Sequence, residues 1–179
     1  MELVQQVLNG LTIGSIYALV ALGFSIVYGA LGLVNFAHGD VLMAGSFATF
    51  GLAALGVPIV LACLGGVAIG GLLGLVVERV AVRPVVNANL LIPMMTTLGV
   101  GLIIRNLVQL KWGSGALPFP SFVGGGYFQV GDIQVSRSAI VTLVIAILSL
   151  TAFSAFLRFT RAGFAIRAVA QDPVAAHLM

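Results

Sequence analysis

Long uncharged stretches alternate with short charged segments along this chain. Asp, Glu, Lys and Arg are absent from four stretches, residues 11–39, 41–77, 88–104 and 138–157. About 20 apolar residues in a helix cross a hydrocarbon core about 30 Å thick, so the second stretch is long enough for two helices. Gly56 and Pro58 mark the break between them, because proline cannot continue a helix. The pattern predicts about five spans, near residues 10–33, 41–56, 58–78, 89–110 and 138–157.

The composition agrees with a membrane protein. Hydrophobic residues make up 60% of the chain and charged residues 7%, too few charges to cover a soluble surface. The apolar runs are continuous, whereas the strands of a membrane barrel alternate in short segments. The sequence therefore predicts an all-α fold, a polytopic transmembrane helix bundle in a lipid bilayer. The single cysteine, Cys63, excludes a disulfide within the chain.

Lys and Arg near the span ends predict the orientation, because short cytoplasmic loops are enriched in them. Arg79 and Arg83 follow the third predicted span, and a second basic group, which includes Arg158, follows the fifth. Both groups are expected on the cytoplasmic side, with residues 111–137 on the opposite face and the N-terminus outside. If residues 35–40 are instead a break at membrane depth, the crossings must be recounted and the N-terminus would lie inside.

Glycines recur every four residues in the third predicted span. Gly66, Gly70 and Gly74 therefore share one helix face. Small residues at this spacing let two helix backbones approach closely in a membrane, so this face is predicted to pack against another helix.

A polar segment, VNFAHGD at residues 34–40, lies between two apolar runs. Ionisable residues inside a membrane are costly and are functional candidates for that reason. Asn35, His38 and Asp40 are accordingly candidates for the translocation path. A plain helix junction is the favoured interpretation, in which Asp40 or Asn35 caps a helix that begins near Val41. The spacing of His38 and Asp40 does not indicate a metal site.

Arg105 and Asn106 lie late in the fourth predicted span. An arginine at this position is expected to extend towards the outer interface, whose level Trp112 marks, and contact with a substrate is the alternative. Gly99 and Gly101, earlier in the same span, indicate helix packing.

Motifs for catalysis are absent from the sequence. It has no P-loop, no G-x-S-x-G and no H-E-x-x-H, and Lys111 is the single lysine. The protein is therefore not expected to be an enzyme or to need a cofactor, a metal or a nucleic acid. Energy for any transport would come from a separate subunit.

The final segment, residues 160–179, is basic and rich in alanine. A short helix is predicted from Ala162, with Phe164, Ile166, Val169 and Ala170 on its less polar side. Asp172 and Pro173 then indicate a fresh helix start. Small alanines favour docking against a protein, and a helix lying on anionic lipid is the alternative.

Five sequence blocks carry a resemblance to a known family. They are LNGLTIGSIYALVALGFSIVYGALG, VNFAHGDVLMAGSF, ERVAVRP, TTLGVGLIIRN and TRAGFAIRAVAQDPVAAHLM. Together they resemble the membrane-spanning permeases of branched-chain amino acid ABC transporters, of the LivH type, over essentially the whole chain. The resemblance implies an importer of the bacterial inner membrane. Two related permeases would form its path, cytoplasmic ABC ATPases would drive it, and a periplasmic binding protein would deliver the substrate.

The resemblance also implies a division of the chain. Residues 1–158 would belong to the transmembrane bundle, and residues 159–179 would be the cytoplasmic segment that couples to the ATPase. The coupling residues it implies are Arg161, Gly163, Arg167, Ala170, Asp172 and Ala175. Permeases of this family are longer, so the chain is expected to be an N-terminal fragment.

Several functions remain open from the sequence. Leucine, isoleucine and valine are the cargo that the resemblance implies, and urea or short amides are the alternative. An ion-coupled carrier would need buried carboxylates, for which Asp40 is the candidate. A membrane assembly subunit that transports nothing is a further alternative.

Overall fold

The computed structural model describes residues 2–86, 88–115, 117, 126–130 and 133–171. Its helices are α1 (Glu2–Leu31), α2 (His38–Ala54), α3 (Ile59–Val77), α4 (Leu91–Trp112), α5 (Arg137–Phe159) and α6 (Arg161–Gln171). A π-helical turn, Glu78–Val82, and a 3-10 turn, Arg83–Val85, continue α3. The strands are β1 (Tyr127–Val130) and β2 (Ile133–Ser136).

The predicted class, a polytopic helical membrane bundle, is confirmed. Among the described residues, the helices that are long and apolar enough to cross a membrane are Leu3–Gly29, Ile59–Val85, Leu91–Trp112 and Arg137–Phe159. The structure adds one feature that the predicted all-α class lacked. β1 and β2 form an antiparallel hairpin within the predicted loop between α4 and α5, with Tyr127 opposite Ser136 and Val130 opposite Ile133.

α2 differs from the predicted second span. It has 17 residues, which at 1.5 Å per residue measure about 25 Å, less than the thickness of the hydrocarbon core. It begins at His38, three residues before the predicted start at Val41.

The chain forms two compact units, and each is described by itself. The first contains Met1–Gly32 and Ser121–Met179, and so holds α1, the hairpin, α5 and α6. The second is Leu33–Pro120 and holds α2, α3 and α4.

α2 and α3 pack through glycines and run in opposite directions. A Cβ on Gly66 would lie 2.7 Å from the carbonyl oxygen of Gly45, and a Cβ on Gly45 would lie 3.6 Å from the Cα of Gly70. Thr49 packs on the same spot of Gly66, and its hydroxyl donates to the Gly45 carbonyl at 3.0 Å. Such backbone contact requires residues without a side chain.

Gly74, the third glycine of the predicted packing face, makes no such contact. No heavy atom of the described chain lies within 4 Å of the position that its Cβ would take. The Val41 carbonyl, near the start of α2, lies 4.0 Å from the corresponding position at Gly70. Gly70 is therefore the last glycine of the predicted face whose Cβ position has a neighbour on α2 among the described residues.

α2 and α4 run in the same direction. The Phe36 amide donates to Thr97 Oγ1 at 3.3 Å, Asp40 pairs with Arg105, and the rings of Phe47 and Trp112 lie 5.6 Å apart. Residue numbers thus rise together along both helices, and α2 begins opposite the middle of α4.

The core of the second unit lies between these three helices. Its buried apolar residues are Ala37, Ala44, Val77, Ala81, Ile104 and Val108. Many large apolar side chains outside this core are exposed, including Leu61, Leu64 and Val67 on α3. An apolar exterior of this kind suits a lipid environment.

Candidate functional site

An ion pair joins the start of α2 to α4. Arg105 Nε donates to Asp40 Oδ1 at 2.9 Å, and the exposed fraction is 51% for the Arg105 side chain but 9% for Asp40. The carboxylate is thus enclosed, while about half of the guanidinium side chain remains accessible. The pair balances two charges in a region of low polarity, where a single unpaired charge would be costly.

The pair lies deep within α4. Gly101, which touches Asp40, is ten residues after Leu91 in a helix of 22 residues, or about 15 Å along a length of about 33 Å. If α4 spans the membrane, the segment at residues 35–40 therefore lies near mid-depth. This is the break at membrane depth that was the alternative in the sequence analysis. Under it, the membrane crossings must be recounted and the N-terminus would lie inside.

Gly101 provides the space for the carboxylate. A Cβ at Gly101 would lie 2.5 Å from Asp40 Oδ2 and 3.2 Å from the Cα of Ala37. Of the two glycines that the sequence assigned to packing, Gly101 therefore touches α2, whereas the Cβ position of Gly99 has no neighbour within 4 Å among the described residues.

The prediction that Asp40 caps α2 is wrong. Asp40 lies in the first turn of the helix, and the N-cap residue, Ala37, makes no side-chain capping hydrogen bond. A carboxylate in the first turn still interacts favourably with the helix dipole. Asn35 does hold the turn, because its Oδ1 accepts from the Ala37 amide at 3.0 Å and its carbonyl accepts from the His38 amide at 3.3 Å. His38 is the first residue of α2, and its side chain is half-buried.

Arg105 does not extend freely towards the outer interface as predicted. Its Nε is held at the level of Asp40, seven residues before the end of α4 at Trp112. The Trp112 ring packs against Phe47 and lies 4.4 Å from the Lys111 ammonium.

Thr97 is fully buried at the junction and was not among the residues predicted from the sequence. Its hydroxyl donates to the Met94 carbonyl at 2.9 Å and accepts from the Phe36 amide at 3.3 Å. The sequence feature that could have identified Thr97 is a hydroxyl residue within an apolar span, because a polar group there needs a hydrogen-bond partner. In the described part of the chain, no group of three or more His, Cys, Asp or Glu side chains could hold a metal.

The predicted coupling segment begins as a capped helix. Thr160 Oγ1 accepts from the Gly163 amide at 3.0 Å and donates to the Phe156 carbonyl at 2.7 Å. Thr160 is therefore the residue before α6 that satisfies one of its free amides, and the helix begins at Arg161 and not at Ala162.

Gly163 lets α6 lie directly on the end of α5. It is buried, and a Cβ there would lie 2.5 Å from the Leu157 Cα and from the Phe156 carbonyl oxygen. Further along α6, the Ala170 Cβ lies 3.7 Å from the position that a Cβ on Gly29 of α1 would take.

The outer surface of α6 carries two cations and one large aromatic ring. Arg161 and Arg167 are exposed, and 65% of Phe164 is exposed. Phe164 was predicted to share the less polar side with Ile166 and Val169, which are half-buried in the structure. The other predicted coupling residues, Asp172 and Ala175, lie outside the described residues.

Within the described ranges, four long apolar helices and a charged junction between packed helices define a multi-pass membrane protein. The chain belongs to the family described as branched-chain amino acid transport system / permease component, whose model matches residues 6–179.

Named relatives agree with this family. The chain is 35% identical to the high-affinity branched-chain amino acid transport system permease proteins LivH of Salmonella typhimurium and of Escherichia coli K12, over 98% of its own length and 61% of theirs. It is 33% identical to the corresponding permease protein BraD of Pseudomonas aeruginosa, over 94% of its own length and 59% of that protein's. The chain thus spans about three fifths of the length of these relatives. No solved structure matches it.

Proposed function

We propose that this chain belongs to the permease subunit of an ATP-driven ABC importer for branched-chain amino acids in the bacterial inner membrane. The subunit forms half of the translocation path beside a second permease subunit. A periplasmic binding protein delivers the substrate, and cytoplasmic ABC ATPases supply the energy through residues 159–179. The names of the relatives, each a branched-chain amino acid permease protein, support the cargo.

The observation that carries the coupling role is the way α6 is mounted. Gly163 brings the helix into backbone contact with α5, so a force on α6 passes to a membrane-spanning helix without a flexible joint. Thr160 fixes the turn between the two helices by bonding to both. A rigid, capped connection is what a mechanical link between an ATPase and a bundle needs.

The exposed side chains of α6 favour a protein partner. Arg161 and Arg167 supply charge, and Phe164 supplies a large apolar surface beside them. Aromatic and arginine side chains are enriched among the residues that dominate protein interfaces. An anionic lipid surface would also attract the arginines, and the experiment below separates the two.

The ion-coupled alternative loses support. A proton-carrying carboxylate must release its proton partner and take it up again during transport. Asp40, the candidate for that role, is hydrogen-bonded to Arg105 Nε at 2.9 Å, so a carrier role would require this ion pair to break in each cycle.

Charge reversal on α6 tests the proposal. In the full-length protein co-expressed with its ATPases and binding protein, Arg167→Glu is expected to abolish co-purification of the ATPase and ATP-driven leucine uptake, with membrane insertion unchanged. Lys111→Glu is the matched control, because it makes the same change of charge in the last turn of α4. The distribution of Lys and Arg predicts that this end of α4 lies on the non-cytoplasmic face, away from the ATPase. Unchanged ATPase co-purification and unchanged uptake in Arg167→Glu would remove the coupling role and would favour a helix that lies on anionic lipid.

A further inference from the structure

We propose that Arg105 binds the α-carboxylate of the transported amino acid through the guanidinium edge that Asp40 leaves accessible. Asn106 and Gln109 continue the same polar surface along α4, and together the three residues line the path. This assignment rests on the proposed function, because it names the substrate contact of the permease.

The guanidinium is only partly used by Asp40. It carries five N–H donors, and the hydrogen bond that it makes within the described chain is the one from Nε to Asp40 Oδ1. The enclosed carboxylate holds Nε through one hydrogen bond, whereas about half of the Arg105 side chain is accessible. The remaining donors, on the two Nη atoms, therefore need water, a ligand or another protein group.

Lipid tails cannot accept hydrogen bonds from the Nη donors of Arg105. Arg105 lies 14 residues after the start of α4 and seven before its end, or about 21 Å and about 10 Å along the helix. An arginine at such a position within a span faces the bundle interior or a water-filled cavity in nearly all membrane proteins.

α4 has a polar exposed side, a buried side and an apolar exposed side, as a helix that lines a path within a membrane requires. With about 100° between successive residues, Asn106 and Gln109 fall within about 100° of Arg105 on one side. All three are exposed in the structure. The buried residues Gly101, Ile104 and Val108 lie on the other side of Arg105, towards α2. The third sector, about 140° to 200° from Arg105, holds the exposed apolar residues Ile103, Leu107 and Leu110.

This three-way division assigns an environment to each sector. The buried sector packs against α2, and the apolar sector suits lipid. The sector with Arg105, Asn106 and Gln109 also holds the exposed Leu102 and Leu98, one and two turns earlier. From Arg105 onward the sector is exposed and polar, which is unsuited to lipid and is the character of a surface that lines an aqueous path.

A carboxylate is the ligand that this arrangement fits. The planar fork of a guanidinium presents two parallel N–H donors to a carboxylate. Because Asp40 already balances the arginine charge, a second carboxylate is attracted less strongly than by an isolated arginine, which suits a contact that must release its ligand. The apolar side chain of a branched-chain amino acid needs no charged partner of its own.

Reporter cysteines test the proposal in the full-length permease, assembled with its ATPases in lipid nanodiscs. In a Cys63→Ala background, Leu102→Cys places a thiol one turn before Arg105 on the polar side, and Ile103→Cys places its control in the apolar sector. The probe is an anionic, water-soluble methanethiosulfonate, used with and without nucleotide. We expect the Leu102→Cys thiol to react at least about tenfold faster, because the reactive thiolate forms in water and not in lipid.

Two ligands then probe the carboxylate. Saturating leucine is expected to slow labelling of Leu102→Cys, whereas leucinamide, which lacks the carboxylate, leaves the rate unchanged. Adding Arg105→Gln removes the protection by leucine, and Arg105→Lys, which keeps the charge but not the fork, retains part of it. The lysine variant provides the comparison if the glutamine variant does not assemble.

Three results would overturn the assignment. Equal labelling of the two cysteines shows lipid or a protein contact on both sides. If leucine and leucinamide slow labelling of Leu102→Cys equally, or if leucine still slows it in Arg105→Gln, then Arg105 does not bind the carboxylate. ATP-driven uptake by the unsubstituted complex is measured separately. Uptake of leucine without protection defeats this inference alone, whereas carboxylate protection without leucine uptake defeats the proposed function alone.

Discussion

Asp40 lies directly against Gly101, so that a Cβ at position 101 would be 2.5 Å from its Oδ2 atom. The contact combines two requirements of a buried charge. The carboxylate needs room inside a helix interface, and it needs a cation, which Arg105 provides one helical turn further along α4. Two separate mutations can remove the space beside Gly101 and the charge of Arg105.

Gly101→Ala fills the space that the Asp40 carboxylate occupies beside α4. The added methyl group would overlap Asp40 Oδ2 and crowd Ala37, so one helix must shift, which typically costs about 1–3 kcal/mol. We expect a lower midpoint in thermal unfolding of the purified protein. Gly99→Ala lies on the same helix, with no described heavy atom within 4 Å of its Cβ position, and should be neutral or slightly stabilising, because alanine favours a helix by up to about 1 kcal/mol over glycine. Equal midpoints for the two variants would contradict the packing described here.

Arg105→Gln removes the cation and leaves the enclosed Asp40 carboxylate without it. Breaking a buried pair in this way costs about 3–5 kcal/mol, and less is expected here because Arg105 is half exposed. Asp40→Asn should cost less than Arg105→Gln, since the cation that remains is accessible. The double variant should be more stable than the sum of the single effects predicts. Unfolding free energies of the four proteins measure this coupling, and additive effects would show that the pair contributes nothing.

The sequence predicted the class of fold and the polar residues of the junction, but not how these residues meet. Asp40 stood out as a charge between apolar runs, yet its partner is 65 residues away and no local pattern links the two. The level of α2 was left open between two alternatives for the same reason, because it is set by contacts of Phe36 and Asp40 with α4.

The glycine face of α3 shows where periodicity stops being informative. Spacing alone assigned Gly66, Gly70 and Gly74 to one packing face, and the first two lie against α2. The Cβ position of Gly74 has no neighbour within 4 Å among the described residues, so the contact ends although the pattern continues. Local chemistry was also overlooked at Thr160, a standard capping residue directly before α6.

The same glycines give a second test of helix packing. Gly66→Ala would bring a methyl group 2.7 Å from the Gly45 carbonyl oxygen and onto Thr49, so α2 and α3 would have to separate. We expect destabilisation of about 1–3 kcal/mol and reduced accumulation in the membrane. Gly74→Ala introduces the same methyl group where no heavy atom of the described residues lies within 4 Å, so it should be neutral or slightly stabilising and should not reduce accumulation. A larger effect for Gly74→Ala would mean that the face packs elsewhere.

Thr160→Val tests whether the mounting of α6 matters for coupling. The substitution keeps the shape of the side chain but removes the hydroxyl that accepts from the Gly163 amide, a capping loss of about 1 kcal/mol. Because α5 is long and apolar, insertion of the bundle should be unaffected. The start of α6 should fray, and co-purification of the ATPase with the full-length permease should fall. Thr151→Val is the matched control, since the Thr151 hydroxyl donates to the Ile147 carbonyl within α5 and caps no helix. Equal ATPase recovery from both variants would show that a fixed start of α6 is not needed for the partner to bind.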